Sequence, residues 1–461
     1  MKTFFLSLLT ILAAATMLTG CIEDGYATSA AAQPEFSTDS LKMGVTFTGQ
    51  PTPTSSFKVY NRNPKILSIS RIALRGADGS AFRINVDGSA GREFNDIEIR
   101  PNDSIYVFVE ATLPETGSGI PTAFTDRIDF ITNGVERSVV VRADGCDVIR
   151  RHGYTVESDE RWEAGMAYQI FDSLIVAPGA KLTLDPGVTL CFHSKAEMIV
   201  RGTLECQGTP EARVQMCGDR TDNVLTDISF DLMASQWRGL TFAPESRGNM
   251  LSHTEVRNTE QGVTADSLAE VKFLNCRLRN SAGYSLTGYH ADLKLTGPEL
   301  AEASAGVLGI VRGRLEATHC TFANYYLFSA LRGASIQMAH FSQETDDGSG
   351  LPYLQADINN SIVYGNGTDL SHGDFEGSKI YFRNCLLKSA GNDDDHFINI
   401  LWDSAPMYGT VREDYLFDYR LYPESPAREW ADQGLTTPES RKDIYGTERV
   451  RSIGAYEKAY E

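Results

Sequence analysis

The sequence predicts an all-β protein in which a small β-sandwich is followed by a right-handed, single-stranded parallel β-helix. Two patterns support this prediction. Alternating apolar and polar residues, separated by turn residues, fill positions 36–145, and a pattern that recurs about every 22 residues fills positions 146–420. The 461 residues suit two or three domains, and a content of 42% hydrophobic and 10% aromatic residues argues against a disordered chain.

The alternating region predicts seven short strands. Asp78-Gly79 and Asn133-Gly134 are among the turn signals that separate them. The predicted strands cover residues 57–60, 66–74, 82–86, 97–99, 105–109, 128–131 and 139–141. Seven strands within about 110 residues suit an immunoglobulin-like (Ig-like) sandwich, so we expect this domain over residues 36–145.

The repeat of the second region reads apolar, any, apolar, any, Asn or His, small or Cys, any, apolar. The inward-facing phase slips by one residue at the Asn or His, and such a slip requires the backbone to turn a corner there. Each copy is therefore one coil, and the coils bury their apolar faces only by stacking. The predicted corner residues are His253, Asn275, His319, His340, Asn360 and Asn384. The 44 residues between Asn275 and His319 predict one atypical coil between them.

The first twenty residues are predicted to be an export signal. Lys2 precedes an apolar run over residues 4–18, and the run LTGC stands at residues 18–21. The LTGC run resembles the lipobox of bacterial lipoproteins, in which the cysteine becomes the acylated first residue of the mature chain. The alternative is an ordinary signal peptide that has a cysteine at this position. We expect cleavage before Cys21 and attachment of lipid to it.

The residues after Cys21 predict where the protein resides. Glu23 and Asp24 resemble the surface-export signal of Bacteroidota lipoproteins, which implies an outer-membrane lipoprotein that faces outward. Residues 21–35 are predicted to be a tether, since residues 25–34 are mostly small and uncharged. No stretch after the first twenty residues is long and apolar enough to span a bilayer.

Longer strings resemble a known family. The β-helix region opens with AYQIFDSLIVAPGAKLTLDPGVTLCFH and continues with AEMIVRGTLECQGT, GDR at 218–220 and QWRGLTF at 236–242. These strings resemble pectin-lyase-like β-helix lipoproteins of Bacteroidota, and FKVYNRNPKILSISRIAL resembles the Ig-like module that precedes the helix in many of them. Residues 421–461 resemble their closing segment, with a departure at 428–430. Together the resemblance covers nearly the whole mature chain, but most members of this group have no assigned activity.

The net charge limits the choice of partners. The chain has 42 Lys and Arg against 61 Asp and Glu, a charge of −19, and removal of residues 1–20 makes it 41 − 61 = −20. Such an acidic protein is a poor partner for nucleic acid. We expect no column of basic residues at the repeat period, and hence no track for an acidic polymer along the helix. The basic residues of the coils are Arg257, Lys272, Arg279, Arg312, Arg332 and Lys388.

Two acidic loops are candidate Ca²⁺ or ligand sites. Their residues are Asp346, Asp347, Asp393, Asp394 and Asp395. The second loop precedes His396, and adjacent carboxylates are also found as the acid pairs of glycosidases. Consecutive strand residues face opposite sides, so we interpret these acids as loop residues. We assign no catalytic residue and no required cofactor.

Histidines, thiols and aromatic residues each allow a structural interpretation. His253, His319 and His340 share corner positions with Asn, which favours hydrogen bonding over metal binding. Seven cysteines follow Cys21, an odd number, so at least one is unpaired within the chain. Cys276, Cys320 and Cys385 are predicted to be free and buried, with spacings of two coils and then three. Trp237 is predicted to lie in the core, whereas five tyrosines are either core residues or platforms for sugars: Tyr284, Tyr289, Tyr325, Tyr326 and Tyr353.

Two classes of function fit this sequence. We favour a cell-surface protein whose β-helix binds glycan or a host or matrix surface without catalysis. The alternative is a polysaccharide lyase or glycoside hydrolase that uses a cleft on the flank of the helix. The fold alone does not decide between them, since a fold does not confer an activity.

Replacement of Cys21 by Ala tests the predicted lipid anchor. We expect the variant to leave the membrane fraction, because it lacks the sulfur that carries the acyl chain. Membrane fractionation and palmitate labelling measure this effect. Unchanged labelling and fractionation would show that Cys21 is not the attachment site.

Overall fold

The computed structural model describes residues 25–225, 228–339, 353–371, 375 and 378–460. These residues form two compact units. The first unit contains the residues up to Gly117 together with Pro121–Cys146, and the second contains Ser118–Ile120 and the residues from Asp147 onward. Within the described ranges, no helix is long and apolar enough to cross a membrane.

The first unit is built from two five-stranded sheets. Its strands are β1 (Glu35–Phe36), β2 (Ser40–Phe47), β3 (Ser55–Tyr60), β4 (Leu67–Leu74), β5 (Phe82–Val86), β6 (Ser89–Gly91), β7 (Glu93–Ile99), β8 (Ser104–Ala111), β9 (Thr122–Thr132) and β10 (Val135–Cys146), with a 3-10 turn at Ala77–Gly79. One sheet has the order β1-β3-β8-β5-β6 and the other β2-β10-β9-β4-β7. Neighbouring strands are antiparallel except β2 and β10, which are parallel.

Both sheets contribute to one hydrophobic core. Phe57 and Val107 come from the first sheet, and Ile69, Phe130 and Val141 from the second. Their alternation along each strand is the reason why one face of each sheet is apolar. All seven strands predicted in this region are confirmed, and β1, β2 and β6 are additional.

Residues 25–34 pack against this unit, although their composition predicted a free tether over residues 21–35. The side chain of Asn133 donates hydrogen bonds to the carbonyls of Ala27, Ser29 and Ala32 at 2.8–3.0 Å. Ala32 is buried. These contacts hold part of the predicted tether against the first unit, and residues 21–24 lie outside the described ranges.

The second unit is a stack of parallel strands. They are β11 (Val148–Val156), β12 (Glu160–Trp162), β13 (Ala167–Val176), β14 (Lys181–Leu184), β15 (Thr189–Phe192), β16 (Glu197–Val200), β17 (Thr203–Gln207), β18 (Val214–Gly218), β19 (Asn223–Leu225), β20 (Ile228–Ser229), β21 (Gly239–Phe242), β22 (Asn249–Ser252), β23 (Thr254–Val256), β24 (Val263–Ala265), β25 (Glu270–Leu274), β26 (Arg277–Leu278), β27 (Tyr284–Thr296), β28 (Glu299–Ala301), β29 (Gly306–Thr318), β30 (Thr321–Asn324), β31 (Ile336–Ala339), β32 (Leu354–Asn359), β33 (Ile362–Gly365), β34 (Leu370–Ser371), β35 (Lys379–Arg383), β36 (Leu386–Leu387) and β37 (Phe397–Ile398). Single 3-10 turns lie at Phe230–Leu232, Arg412–Asp414, Pro426–Glu429 and Gln433–Leu435. All strands except the β19–β20 hairpin belong to one 25-stranded sheet.

The pairing of these strands describes successive coils. Strand β14 pairs with β17, β17 with β22, β22 with β25, β25 with β27, β27 with β29, β29 with β32 and β32 with β35, always in parallel. Val271, Leu293 and Leu315 are successive Cα partners, 22 residues apart. Their side chains point inward and are buried with the equivalent residues of the other coils. The all-β, β-helix-like architecture of this region is thus confirmed, including the atypical coil after Asn275.

One corner of the coils is occupied by a column of residues in the left-handed region. We call it the corner column; its members are His253, Asn275, Gly297, His319, Asn360 and Asn384. Their φ angles lie between +42° and +71°. Asn and Gly adopt this conformation at the lowest cost, which explains the phase slip in the repeat. Gly297 is the member of the column that belongs to the atypical coil. A Cβ on residue 297 would lie 2.2 Å from Asn275 Oδ1.

His340, which was predicted to belong to this column, lies outside the described residues, and the pairing of the strands on either side of it contradicts the prediction. Strands β31 and β32 both pair with β29, β31 with its first half and β32 with its second. They therefore form two sides of a single coil, and the residue that follows His319 in the corner column is Asn360. From His319 to Asn360 this coil takes 41 residues of sequence, nearly twice the usual 22, so it imitates two repeats.

The C-terminal residues 421–460, which we call the tail, run back along the corner column. Asn384 Nδ2 donates to Trp430 O at 3.3 Å, and His319 Nε2 lies 2.9 Å from Thr436 Oγ1. Asn360 makes two bonds with Asp432: its Nδ2 donates to Asp432 O, and its Oδ1 accepts from Asp432 N, both at 2.9 Å. The left-handed corner turns each amide outward, and the tail satisfies those amides.

At a second corner of the coils, two asparagines in the left-handed conformation bind the backbone of the segment around Asp231. Asn258 and Asn280 have φ angles of +66° and +54°. Their side-chain amides donate to Asp231 O at 2.7 and 3.2 Å, and that of Asn258 also donates to Met233 O. The segment between β18 and β21 is thereby fixed against the flank of the coils.

Asn360 provides a test of the corner column. We expect Asn360→Gly to lower stability by about 1–3 kcal/mol, because it removes both bonds to Asp432. Asn360→Ala should lower it by about 1 kcal/mol more, because a Cβ is unfavourable at a positive φ. Urea unfolding followed by circular dichroism measures both. Equal stability of the Gly and Ala variants would contradict the proposed backbone constraint.

Candidate functional site

The acids predicted at 393–395 lie at the end of the coil stack. Asp393 accepts hydrogen bonds from the backbone N–H of Asn399 and Ile400 and from Trp402 Nε1, at 2.7–3.2 Å. Asp394 Oδ1 accepts from the N–H groups of the two residues preceding Ile398, at 2.7 and 2.8 Å. Two of the three carboxylates thus order the loop around the last strand, and Asp395 is exposed.

The remaining predicted site residues lie outside the described ranges. They are Cys21, Asp346 and Asp347. Within those ranges, no group of three or more His, Cys, Asp or Glu side chains is arranged to hold a metal ion. His253 and His319 are separated along the corner column by Asn275 and Gly297, and burial lowers the pKa of both imidazoles, that of His253 to about 4.

The tail covers a flank of the coils that carries buried charges. Glu255 lies on this flank with Arg279 Nη2 at 2.6 Å and Arg257 Nη1 at 3.7 Å. Burial opposes ionisation of Glu255, but the guanidinium groups of Arg279 and Arg257 outweigh it and hold the pKa at about 2. This group is an internal ion cluster.

Two further acids lie beneath the tail. Tyr456 donates a hydrogen bond to Glu299, and Tyr419 donates one to Glu302. Both acids and both tyrosines are buried. Burial, reinforced by the nearby charge of Glu299, raises the pKa of Glu302 to about 8. Because tyrosine hydroxyls occupy these carboxyls, they are closed to a substrate.

The same flank corrects the prediction about basic residues. Arg257 and Arg279 follow Val256 and Leu278, which are Cα partners on adjacent coils, so the two arginines do form a short column at the repeat period. The sequence predicted no column of basic residues at this period. Glu255 and Asp231 neutralise the pair, with Arg257 Nε 2.7 Å from Asp231 Oδ1. The column therefore provides no free track for a polyanion.

The thiols follow the predicted burial, with one difference in register. Cys276, Cys320 and Cys385 are free and buried. Cys320 and Cys385 are two coils apart rather than the predicted three, because β30 pairs with β33 and β33 with β36. The sequence prediction counted the 41 residues from His319 to Asn360 as two coils, and this produced both the extra coil between Cys320 and Cys385 and the error at His340.

The aromatic candidates divide between core and surface. Trp237 is in the core, as predicted, and stacks on Phe192 with centroids 4.0 Å apart. Tyr326 is buried, and Tyr325 packs against Tyr419 beneath the tail. Tyr289 is 48% exposed. Within the described part of the chain, none of the five candidate tyrosines forms an exposed platform with a second aromatic ring.

An open cleft lies where a loop of the coils meets a hairpin near the C-terminus. We call it the hairpin cleft; its volume is about 320 Å³ and its lining residues are Leu327, Phe328, Arg412, Glu413 and Tyr415. The rings of Phe328 and Tyr415 are parallel within 4°, with centroids 6.1 Å apart. The cleft thus combines two aromatic faces with one guanidinium and one carboxylate.

Local backbone structure positions these side chains. Tyr408 bridges to Leu421 and Val411 to Leu416, which defines an antiparallel hairpin. At its tip, the 3-10 turn Arg412–Asp414 ends at Tyr415 in the left-handed conformation, with φ +55°. This turn brings Arg412, Glu413 and Tyr415 to one end of the hairpin, facing Phe328, which follows strand β30.

Sequence reasoning missed all the residues of the hairpin cleft. The only local signal is an aromatic residue directly after the charged turn Arg412-Glu413-Asp414, a position where exposure is expected. Phe328 follows the candidate aromatic residues Tyr325 and Tyr326, two positions after the latter. Nothing in the sequence connects it with residues more than eighty positions later.

Comparison with known proteins gives little further information. No protein-family model and no curated protein matches the sequence. A family 123 glycoside hydrolase from Clostridium perfringens is similar over 27% of this chain and 26% of its own, with 12% identity and a TM-score of 0.18. A family 87 α-1,3-glucanase from Streptomyces thermodiastaticus is similar over 75% and 74%, with 8% identity and a TM-score of 0.33. Such weak similarity carries no argument about activity.

The buried acid Glu302 predicts a pH-dependent stability. Its folded pKa of about 8 lies above the value of 4.5 that applies to an unfolded chain. Its contribution to stability is therefore full below about pH 4.5 and is lost as the pH rises through about 8. In Glu302→Gln this loss is absent, so its melting temperature should rise relative to the native protein between pH 5 and 8. Thermal unfolding from pH 5 to 9, with Glu413→Gln as the control, measures this; a constant difference would contradict the assigned pKa.

Proposed function

We propose that this chain is an exported lipoprotein, anchored in the outer membrane through Cys21 and facing outward, whose β-helix binds glycan without catalysis. In this proposal the first unit is an Ig-like spacer, and the coils have the right-handed sense usual for such helices. The observation that carries the binding function is the hairpin cleft.

The chemistry of the cleft suits a sugar. The axial C–H groups of a pyranose form an apolar face that packs on an aromatic ring, and Phe328 and Tyr415 offer two parallel faces. Arg412 supplies N–H donors and Glu413 supplies acceptors for ring hydroxyls. Aromatic faces with a few polar groups are typical of specific small-ligand sites.

Charge and volume narrow the class of glycan. Arg412 and Glu413 cancel within the cleft, and the mature chain has a net charge of 41 − 61 = −20, which disfavours a polyanionic ligand. The volume of about 320 Å³ is at the small end of the ligand-pocket range. We therefore infer a neutral glycan, bound through a terminal or branching sugar.

The state of the carboxylates supports binding over catalysis. A hydrolase of this kind needs two carboxyl groups that both reach the scissile bond. Glu299 and Glu302 are occupied by tyrosines beneath the tail, and Asp393 and Asp394 accept backbone hydrogen bonds.

A glycan array probed with the chain from residue 25 onward tests the binding function. We expect neutral glycans to bind, and Phe328→Ala and Tyr415→Ala each to weaken binding about tenfold, a loss near 1.4 kcal/mol. Tyr289→Ala removes an exposed tyrosine outside the cleft and should leave binding unchanged. Binding that survives both cleft substitutions would exclude this site.

A second assay tests the absence of catalysis. The protein is incubated with plant, host and bacterial polysaccharides in the presence of Ca²⁺, and reducing ends and unsaturated uronides are measured. We expect no product. Product that disappears in the triple variant Asp393→Asn, Asp394→Asn, Asp395→Asn would establish the alternative, a polysaccharide lyase or hydrolase.

A further inference from the structure

Two cysteines face each other on successive coils of the second unit. Cys191 in β15 and Cys217 in β18 are direct Cα partners in a parallel ladder. Neighbouring strands lie about 4.8 Å apart, within the range of about 4.4–6.8 Å that a disulfide spans between Cα atoms. Both side chains point away from the core and are nevertheless buried. Their thiols are close enough to share a hydrogen bond.

No other two of the seven described cysteines share this relation. Cys276, Cys320 and Cys385 occupy equivalent positions, but a coil without cysteine separates each from the next. Cys206 has Leu251 as its partner on the following coil. Cys146 has Phe47 as its partner, so among the described residues Cys191 and Cys217 are the only two cysteines that are direct Cα partners in a ladder.

The surroundings favour reaction at one of the two sulfurs. The hydrogen bond with Cys191 lowers the pKa of Cys217, and the guanidinium of Arg257 on the next coil acts in the same direction. On the preceding coil, Gln169 is the Cα partner of Cys191, and its Nε2 donates to Asp219 Oδ2 at 2.9 Å. The two cysteines therefore lie between Gln169 on one side and Arg257 on the other. Cys217 is thus the better nucleophile, because the thiolate is the reacting form.

We propose that Cys191 and Cys217 form a disulfide that links two successive coils in the exported protein. The Cys217 thiolate attacks an external disulfide and releases one thiol; the Cys191 thiolate then attacks the Cys217 sulfur, releases the second thiol and closes the bridge. The two cysteines lose two protons and two electrons, and the external disulfide is reduced to two thiols. Since both sulfurs are buried in the finished fold, the exchange takes place after these coils and the coil of Arg257 have paired and before their flank is covered.

The supply of oxidant rests on the export part of the proposed function, whereas the geometry does not. Disulfides persist in oxidising compartments outside the cytosol. The bridge would tie the coils on which the segment between β18 and β21 is fixed. It is also independent of glycan binding, because none of the residues of the hairpin cleft is involved.

Refolding tests the geometry separately from export. The chain from residue 25 onward is unfolded with reductant, refolded in oxidised and reduced glutathione, alkylated and digested with trypsin. Cleavage after Lys181, Lys195, Arg213 and Arg220 places each of the two cysteines in its own peptide, 182–195 and 214–220. We expect a cross-linked pair of these peptides and a melting temperature several degrees above that of the reduced protein.

Matched variants complete the test. Cys191→Ser should abolish the cross-link, and Cys385→Ser, which removes a thiol elsewhere in the stack, should leave it intact. Circular dichroism establishes that each variant is folded. Free thiols at both positions in the refolded native chain would overturn the proposal.

The protein isolated from its own cells then tests the oxidation in vivo. We expect the same cross-link in material from the membrane fraction. If the refolded protein forms the bridge but the membrane-bound protein has free thiols, the proposal is overturned for the cell although export holds. If the native protein is absent from the membrane fraction, the membrane anchoring in the proposed function fails, and the result of refolding still stands.

Discussion

The second unit depends on a backbone constraint at the corners of its coils. Each coil must turn where its inward-facing phase slips by one residue, and the turn places that residue in the left-handed region, as at His253, Asn275 and Asn384. Asn and Gly tolerate this conformation best. Asn also brings an amide that the corner turns away from the core, where it must find a partner. The stacking of coils therefore creates a row of hydrogen-bonding groups along the outside of the helix.

Both segments that cover the coils are attached to such rows. The tail bonds to Asn360 and Asn384, and the segment around Asp231 bonds to Asn258 and Asn280. Burial of polar groups on a covered flank favours pairing, as between Tyr419 and Glu302 and between Arg279 and Glu255. The carboxyl groups of Glu255, Glu299 and Glu302 are thus each bonded to an arginine or a tyrosine.

Local pattern predicted much of the fold because corners and strands are local features. The phase slip identified His253, Asn275 and Asn384 correctly, and alternation identified the strands of the first unit. It failed at His340, because the 41 residues from His319 to Asn360 are nearly two repeats long, and only the pairing of β31 and β32 with β29 shows that they form one coil. It also could not identify the hairpin cleft. Phe328 and Tyr415 come together through the folding of the hairpin onto the coils, which no local pattern records.

Under the proposed function, the affinity of the hairpin cleft for glycan depends on how firmly the hairpin packs against the coils. Phe328 belongs to the coils, whereas Arg412, Glu413 and Tyr415 belong to the hairpin tip. The base of the hairpin, Tyr408 and Leu421, is buried with Tyr419 in the cluster that lies over the coils. Any change that loosens this cluster separates the two walls of the cleft, so under the proposed function a substitution far from the cleft would weaken glycan binding by lowering the fraction of protein that is competent to bind. Tyr419, which covers Glu302, and Tyr456, which covers Glu299, belong to the same cluster that anchors the base of the hairpin.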